Sequence, residues 1–185
     1  MAKVIVGMTM SLDGFVSDRD GNVGPLYPDF DALRESEQLQ EAIGATGAVV
    51  MGRRSYEMGN GDFTGYEFQV PIFIVTHEAP VTVAIGENEN LTFNFVTEGV
   101  GQAIELAKTA AGARDVTVVG GPAVIQQALD LGLADEIHID LRALLLGDGL
   151  RLFERTGHRT EELELFDQSQ SPGVTHLRYR VALRT

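Results

Sequence analysis

Apolar residues fall along this chain in two rhythms. Short apolar runs suit strands covered on both faces: Ala48-Val49-Val50-Met51, Ile72-Phe73-Ile74-Val75 after Pro71, and Val116 to Val119 with Thr117 inside it. Lys3 to Met10 is β-rich and ends at Ser11-Leu12-Asp13-Gly14, a turn signal. Thr92 to Val96 is a shorter strand. Ile137, Ile139 and Leu141 alternate with polar residues, as do Leu177, Tyr179, Val181 and Leu183, and Leu163 with Leu165 suggests one more strand. Helical spacing appears elsewhere. Val100, Ala103, Ile104, Ala107 and Ala111 line one helix face up to Gly112. Pro122 suits the first position of a helix carrying Val124, Ile125, Ala128, Leu129 and Leu131. Phe30, Leu33, Leu39, Ala42 and Ile43 predict a helix with Asp29 or Asp31 as N-cap and Gly44 as its stop.

Strand and helix thus alternate before two or three closing strands. That order predicts an α/β fold, a mostly parallel sheet with helices on both faces. Glu161–Gln168 paired with Val174–Leu183 through Ser171-Pro172-Gly173 adds an antiparallel edge hairpin. The length of 185 residues fits a single domain, 1–185.

Composition narrows the chemistry. There is no cysteine, which removes disulfides, thiolate metal sites and a Cys nucleophile. The net charge of −13 argues against nucleic acid as the main partner. No apolar run approaches the roughly 18 residues of a membrane span. Met1 to Gly7 lacks the long apolar stretch of a signal peptide and reads as the first strand of a cytoplasmic protein. No Walker A loop, His-Glu-x-x-His pair or Gly-x-Ser-x-Gly elbow is present, and no His falls at metal-ligand spacing.

Ligands of such sheets bind beyond the carboxyl ends of the strands. Four places meet that description. Val118-Val119-Gly120-Gly121-Pro122 is a buried strand, a glycine pair and a helix start, where a phosphate can approach backbone N–H groups. A tight architectural turn would read the same. Met51-Gly52-Arg53-Arg54-Ser55 opens a second strand into a helix, with two arginines able to meet an anion. Sites that accept NAD often carry an acidic residue after the second strand; Gly-Arg-Arg here favours a 2′-phosphate, hence NADP. Val75-Thr76-His77 offers a hydroxyl and an imidazole after a third strand. Asp13 sits in the first turn, where a self-bonded β-turn is the plainer reading.

Together these blocks resemble the dihydrofolate reductase superfamily, in particular the branch of the C-terminal reductase domain of the bifunctional riboflavin-biosynthesis protein. The similarity is carried by Met8-Thr9-Met10-Ser11-Leu12-Asp13-Gly14-Phe15-Val16, Val50 to Glu57, Pro71 to His77, Val118 to Gly121, Gly132 to Ile139 and Leu145 to Phe153. It implies an eight-stranded mixed sheet, NADPH as hydride donor, a small-molecule substrate and a homodimer. By resemblance, Gly52, Arg53 and Arg54 face the adenosine and phosphates, and Thr76 and His77 the 2′-phosphate. Gly120 and Gly121 cradle the pyrophosphate beside the amides of Ala123, Val124 and Ile125, and Asp13 lies at the nicotinamide end as the catalytic candidate. The activity so implied is reduction of 5-amino-6-(5-phosphoribosylamino)uracil. A dihydrofolate or other pterin reductase and a non-catalytic NADP-binding module are the alternatives. True dihydrofolate reductases carry an Arg before the third strand to grip folate; Tyr66 to Pro71 has none. The C-terminal strands and the Leu144–Phe153 segment are the expected dimer seam, with the arginines of this half facing acidic residues of the first half.

Overall fold

The computed structural model describes residues 2–154 and 162–182. Six strands run parallel: β1 (Val4–Ser11), β3 (Thr46–Gly52), β4 (Ile72–Val75), β5 (Phe93–Val96), β6 (Asp115–Val118) and β7 (Glu136–Arg142). The hairpin β9 (Leu163–Ser171) and β10 (Val174–Val181) joins antiparallel to β7. The resulting eight-stranded sheet has the order β5-β4-β3-β6-β1-β7-β10-β9. A separate short ribbon pairs β2 (Phe15–Ser17) with β8 (Leu150–Arg151). The predicted mixed, mostly parallel sheet and its closing hairpin are thus present. Glu161 and Leu183, named in the expected pairing, lie outside the described residues, and β9 runs on to Ser171, so Pro172-Gly173 alone makes the turn.

Each face of the sheet has its own core. On one face, α4 (Val100–Ala111) and α5 (Pro122–Asp130) bury Val100, Ile104, Ile125 and Leu129 against Val4, Val6, Val50 and Val118. On the other, α2 (Glu37–Ala45) and α3 (Arg53–Glu57) cover Val49, Met51, Ile72 and Ile74. Tyr56, Phe63 and Phe93 stack edge and face at 5.2–5.5 Å there. The short apolar runs follow from this two-sided burial.

Two expectations need correction. The single helix from Phe30 is two helices, α1 (Phe30–Arg34) capped by Asp29 and α2 capped by Ser36. The Ser36 hydroxyl accepts the Leu39 N–H at 3.3 Å and donates to Leu33 O at 2.7 Å, so a capping residue interrupts the apolar spacing. Gly44 lies within α2, which ends one residue later. Leu131 is not on the buried face of α5; it follows the helix and is 58% exposed.

Candidate active site at the carboxyl edge of the sheet

Because the six parallel strands point one way, their carboxyl ends share an edge, and the glycine turns after β3 and β6 meet there. The Gly52 N–H donates to Gly120 O at 2.6 Å. A Cβ on Gly52 would stand 3.1 Å from Val124 Cγ2 and 3.3 Å from Gly121 N, so only glycine sits easily here. Gly120 has φ +133°, a conformation that favours glycine, and its peptide to Gly121 is cis. Gly121 is extended and precedes α5; a Cβ there would have Ser55 Oγ as its nearest neighbour, at 3.8 Å. A Cβ at Gly121 would therefore sit at ordinary van der Waals distance from Ser55. Val124 and Ile125 donate their N–H groups to Gly121 O at 2.9 and 3.3 Å. That commits two of the three expected amides to the helix and leaves the Ala123 N–H at its open end.

The remaining candidates flank α3. Arg53 is more than half exposed and forms an ion pair with Glu57 at 2.7 Å, which raises its pKa. Arg54 is exposed on the same helix and His77 on the loop after β4. Thr76 is buried, and its hydroxyl donates to Glu78 O at 2.7 Å. Arg53 and Thr76 share a cavity of about 480 Å³ with Tyr56, Ile74, Ile85 and Phe95. The structure thus brings Gly52, Gly120, Gly121 and Val124 into contact, and Arg53 and Thr76 onto one cavity. Arg54 and His77 are exposed and line neither.

Asp13 occupies the edge beyond β1 and binds the loop that follows β7. Its carboxylate accepts from Ser11 Oγ at 2.6 Å, Leu146 N at 3.1 Å and Gly147 N at 2.7 Å. The Ser11 hydroxyl and these two amides hold its pKa down to about 2. Arg151 adds a bond to Asp13 O at 3.2 Å while lying 4.3 Å over the Phe15 ring. In this arrangement Asp13 is ionised at neutral pH and fastens the loop; it carries no proton to donate.

Sequence reasoning missed a second set of residues. On the α2 side, β1, β7, β10 and β9 present rows of polar residues in register: Thr9–Asp140–His176–Ser169 and Gly7–His138–Arg178–Asp167. His176 is buried; its Nδ1 donates to Asp140 Oδ1 at 2.6 Å, and its Nε2 lies 2.9 Å from Ser171 Oγ. Arg178 reaches Glu41 of α2 at 3.3 Å, and Gln38 of α2 reaches Ser169 at 3.5 Å. Burial pushes His138 down, while its contact with Glu136 at 3.0 Å opposes the shift. Tyr27, whose phenol burial pushes up, hydrogen-bonds Thr9 and lies within reach of the Asp140 charge. The Arg142 Nε is buried without a partner. The signal was available: the polar members of the alternating β7 and β10 strands are themselves titratable or basic. Their convergence depended on strand order, which alternation does not encode.

Fold and edge together define a dihydrofolate reductase-like domain with a glycine-lined carboxyl edge. The chain belongs to the RibD C-terminal domain family, whose profile matches residues 2–177. It is 21% identical over 183 residues to the uncharacterized protein YyaP of Bacillus subtilis (strain 168), covering 96% of this chain and 94% of that one. Among solved structures, a Shewanella sp. PV-4 protein assigned to riboflavin biosynthesis superposes with a TM-score of 0.78 at 22% identity, covering 98% and 99% of the two chains. The diaminohydroxyphosphoribosylaminopyrimidine deaminase/5-amino-6-(5-phosphoribosylamino)uracil reductase of Thermotoga maritima gives 0.75 at 15% identity; 98% of this chain matches 57% of that one. Riboflavin Biosynthesis Reductase Rib7 of Saccharomyces cerevisiae gives 0.57 at 17%, covering 98% and 89%. No helix among the described residues is long and apolar enough to cross a membrane, and they hold no cluster of metal-ligating side chains.

Proposed function

We propose that this protein is an NADPH-dependent reductase acting on a C=N or C=O group of a small heterocycle, most closely 5-amino-6-(5-phosphoribosylamino)uracil. The observation that carries the reading is the contact between the two glycine turns. Gly52 and Gly120 are locked together, and Gly121 beside them leaves room for a pyrophosphate at the start of α5. Family membership and the reductase activities named for the Thermotoga and yeast structures support the same reading.

The residues present fit a dinucleotide. Gly120 and Gly121 would admit its pyrophosphate, and the Ala123 N–H would donate to it. Arg53, Arg54, Thr76 and His77 would meet the 2′-phosphate, with Arg53 released from Glu57 to do so. When bound, the nicotinamide supplies hydride. The chain's own work is orientation and exclusion of water: α5 and α3 hold the phosphates, and the loop fastened by Asp13 borders the reacting end.

Titration with NADPH and NADH tests the assignment. Each charge-assisted bond to the 2′-phosphate contributes about 1.5–3 kcal/mol, so NADPH should bind tenfold or more tighter. Equal affinities would remove the 2′-phosphate site. NADPH binding without oxidation across a panel of pyrimidines and pterins would leave a cofactor-binding module.

A further inference from the structure

The turn that follows α3 holds the one Asn-Gly step of the chain, Asn60-Gly61. We propose that this step is a site of spontaneous modification: Asn60 deamidates through a cyclic imide in the folded protein and places a carboxylate on the rim that Arg53 occupies.

The peptides on either side are pinned. The Asn60 N–H donates to Glu57 O at 3.1 Å and the Asp62 N–H to Gly59 O at 3.0 Å, while Gly61 O accepts the Ile85 N–H at 2.9 Å. The peptide joining residues 60 and 61 has no such anchor. Among the described residues, neither Asn60 O nor the Gly61 N–H is hydrogen-bonded, so this one plane turns between two fixed neighbours. The space around it is open. Asn60 and Gly61 are exposed with φ of +49° and +79°, and a Cβ built on Gly61 would meet nothing within 4 Å. Glycine leaves the attacking nitrogen unshielded. The Asn60 carboxamide also has no hydrogen-bond partner among the described residues to hold it away from that nitrogen.

The other asparagines are held where this one is free. Asn22 Oδ1 accepts the Gly24 N–H at 2.9 Å, and Asn94 Nδ2 donates to Ile72 O at 3.3 Å. Asn88 Oδ1 accepts from the Asn90 and Leu91 amides. Asn90 would need the Leu91 nitrogen for attack, and that N–H is the one already given to Asn88.

The chemistry needs only water. Gly61 N loses its proton to solvent base and bonds to Asn60 Cγ. The Cγ–Nδ2 bond breaks, and Nδ2 leaves as ammonia with a proton from water. Water then opens the imide ring. Opening at Cγ leaves aspartate; opening at the main-chain carbonyl leaves isoaspartate. No atom is oxidised or reduced.

The product lies on the cavity of about 480 Å³ that Asn60 shares with Arg53, Glu57 and Thr76. Arg53 already pairs with Glu57 at 2.7 Å. A further carboxylate on this rim competes with a phosphate for the guanidinium. That consequence rests on the reductase reading above; the modification itself does not.

The test is incubation of the intact chain in warm, mildly alkaline buffer, followed by peptide mass mapping and enzymatic detection of isoaspartate. The Asn60 peptide should gain the mass that separates OH from NH2 and contain isoaspartate, while the peptides of Asn22, Asn88, Asn90 and Asn94 stay unchanged. The rate should rise with pH, because the attacking amide must lose its proton. The urea-unfolded chain sets the reference rate. Conversion of Asn60 only on unfolding overturns the proposal, as does a native Asn60 that converts no faster than the other four. Asn60→Gly keeps the left-handed turn and should leave this segment free of isoaspartate. NADPH titration reads the consequence. Aged protein and Asn60→Asp should both bind up to about fivefold more weakly than fresh protein, the scale of an exposed charge pair, and Asn60→Gly should not weaken with age. Conversion with unchanged affinity overturns the effect on Arg53. Fresh protein that binds no NADPH overturns the reductase reading, while the mass record still decides the modification.

Discussion

Single residues at the carboxyl edge divide into those that leave space and those that fill it. Gly121 tolerates a Cβ, since one there would meet nothing closer than Ser55 Oγ at 3.8 Å. Gly121→Val should therefore fold with the wild-type melting temperature and lose NADPH binding by tenfold or more; unchanged affinity in the folded variant would make the turn purely architectural. Asp13 fills space. Its pKa of about 2 lies below the ordinary 3.8, so the folded state holds its proton less tightly than the unfolded chain does. The tether is complete above about pH 4 and is lost as pH falls toward 2. Asp13→Asn should release it at neutral pH, seen as faster amide exchange at Leu146 and Gly147 with the central strands unchanged. The glycine turns and the Ser11–Gly14 turn were legible because such turns have local signatures; the bonds from the Asp13 carboxylate to Leu146 and Gly147 were not, since those amides are distant in sequence. The Asp140–His176–Ser171 chain was not, since its members come from three strands and only strand order brings them together.

Among the elements, those with one strong rhythm were read closely. β4 and α4 fall on the stretches that apolar spacing marks, because burial there is two-sided or strictly one-faced. The Phe30–Ile43 stretch was misread because apolar spacing continues across the break, while the Ser36 cap that makes it is a local polar event. The segment before β4 bears on substrate choice. Tyr66 lies against Phe63 and Phe68, and Phe68 and Val70 are buried, so Tyr66–Pro71 adds to the aromatic core and carries no cation. Folate carries a glutamate tail that such a segment cannot grip. Dihydrofolate should be a poor substrate even with NADPH bound. Turnover at a rate on the order of 10 s⁻¹, ordinary for a dedicated enzyme, would place the chain with the folate reductases instead.

At the scale of the whole molecule, the sheet ends in two edges of unequal length, four-residue β5 and the longer β9. Its β9 edge is nine residues long, and Leu163 and Leu165 on it are 40% and 46% exposed. These leucines share a face with Tyr179 and Val181 of β10. Nearby in sequence, Leu145, Leu150 and Phe153 are exposed while Leu152 alone enters the core. A long open edge with apolar residues is a template for pairing, and a second copy of the chain would cover it. Two of the arginines expected at that seam have acidic partners within the chain. Arg178 pairs with Glu41 and Asp167, and Arg180 with Glu164, all within the same chain. Association should therefore be driven by apolar burial and persist in high salt, where exposed ion pairs are screened. Light scattering at micromolar concentration should give a mass near 40 kDa, twice the 20.0 kDa of the chain, and hold it in 1 M salt. Leu165→Glu, a charge placed on the exposed apolar face, should return a folded 20 kDa species. A wild-type chain that stays at 20 kDa would mean the hairpin edge is tolerated open, guarded by charges such as Glu164 and Asp167 beside it.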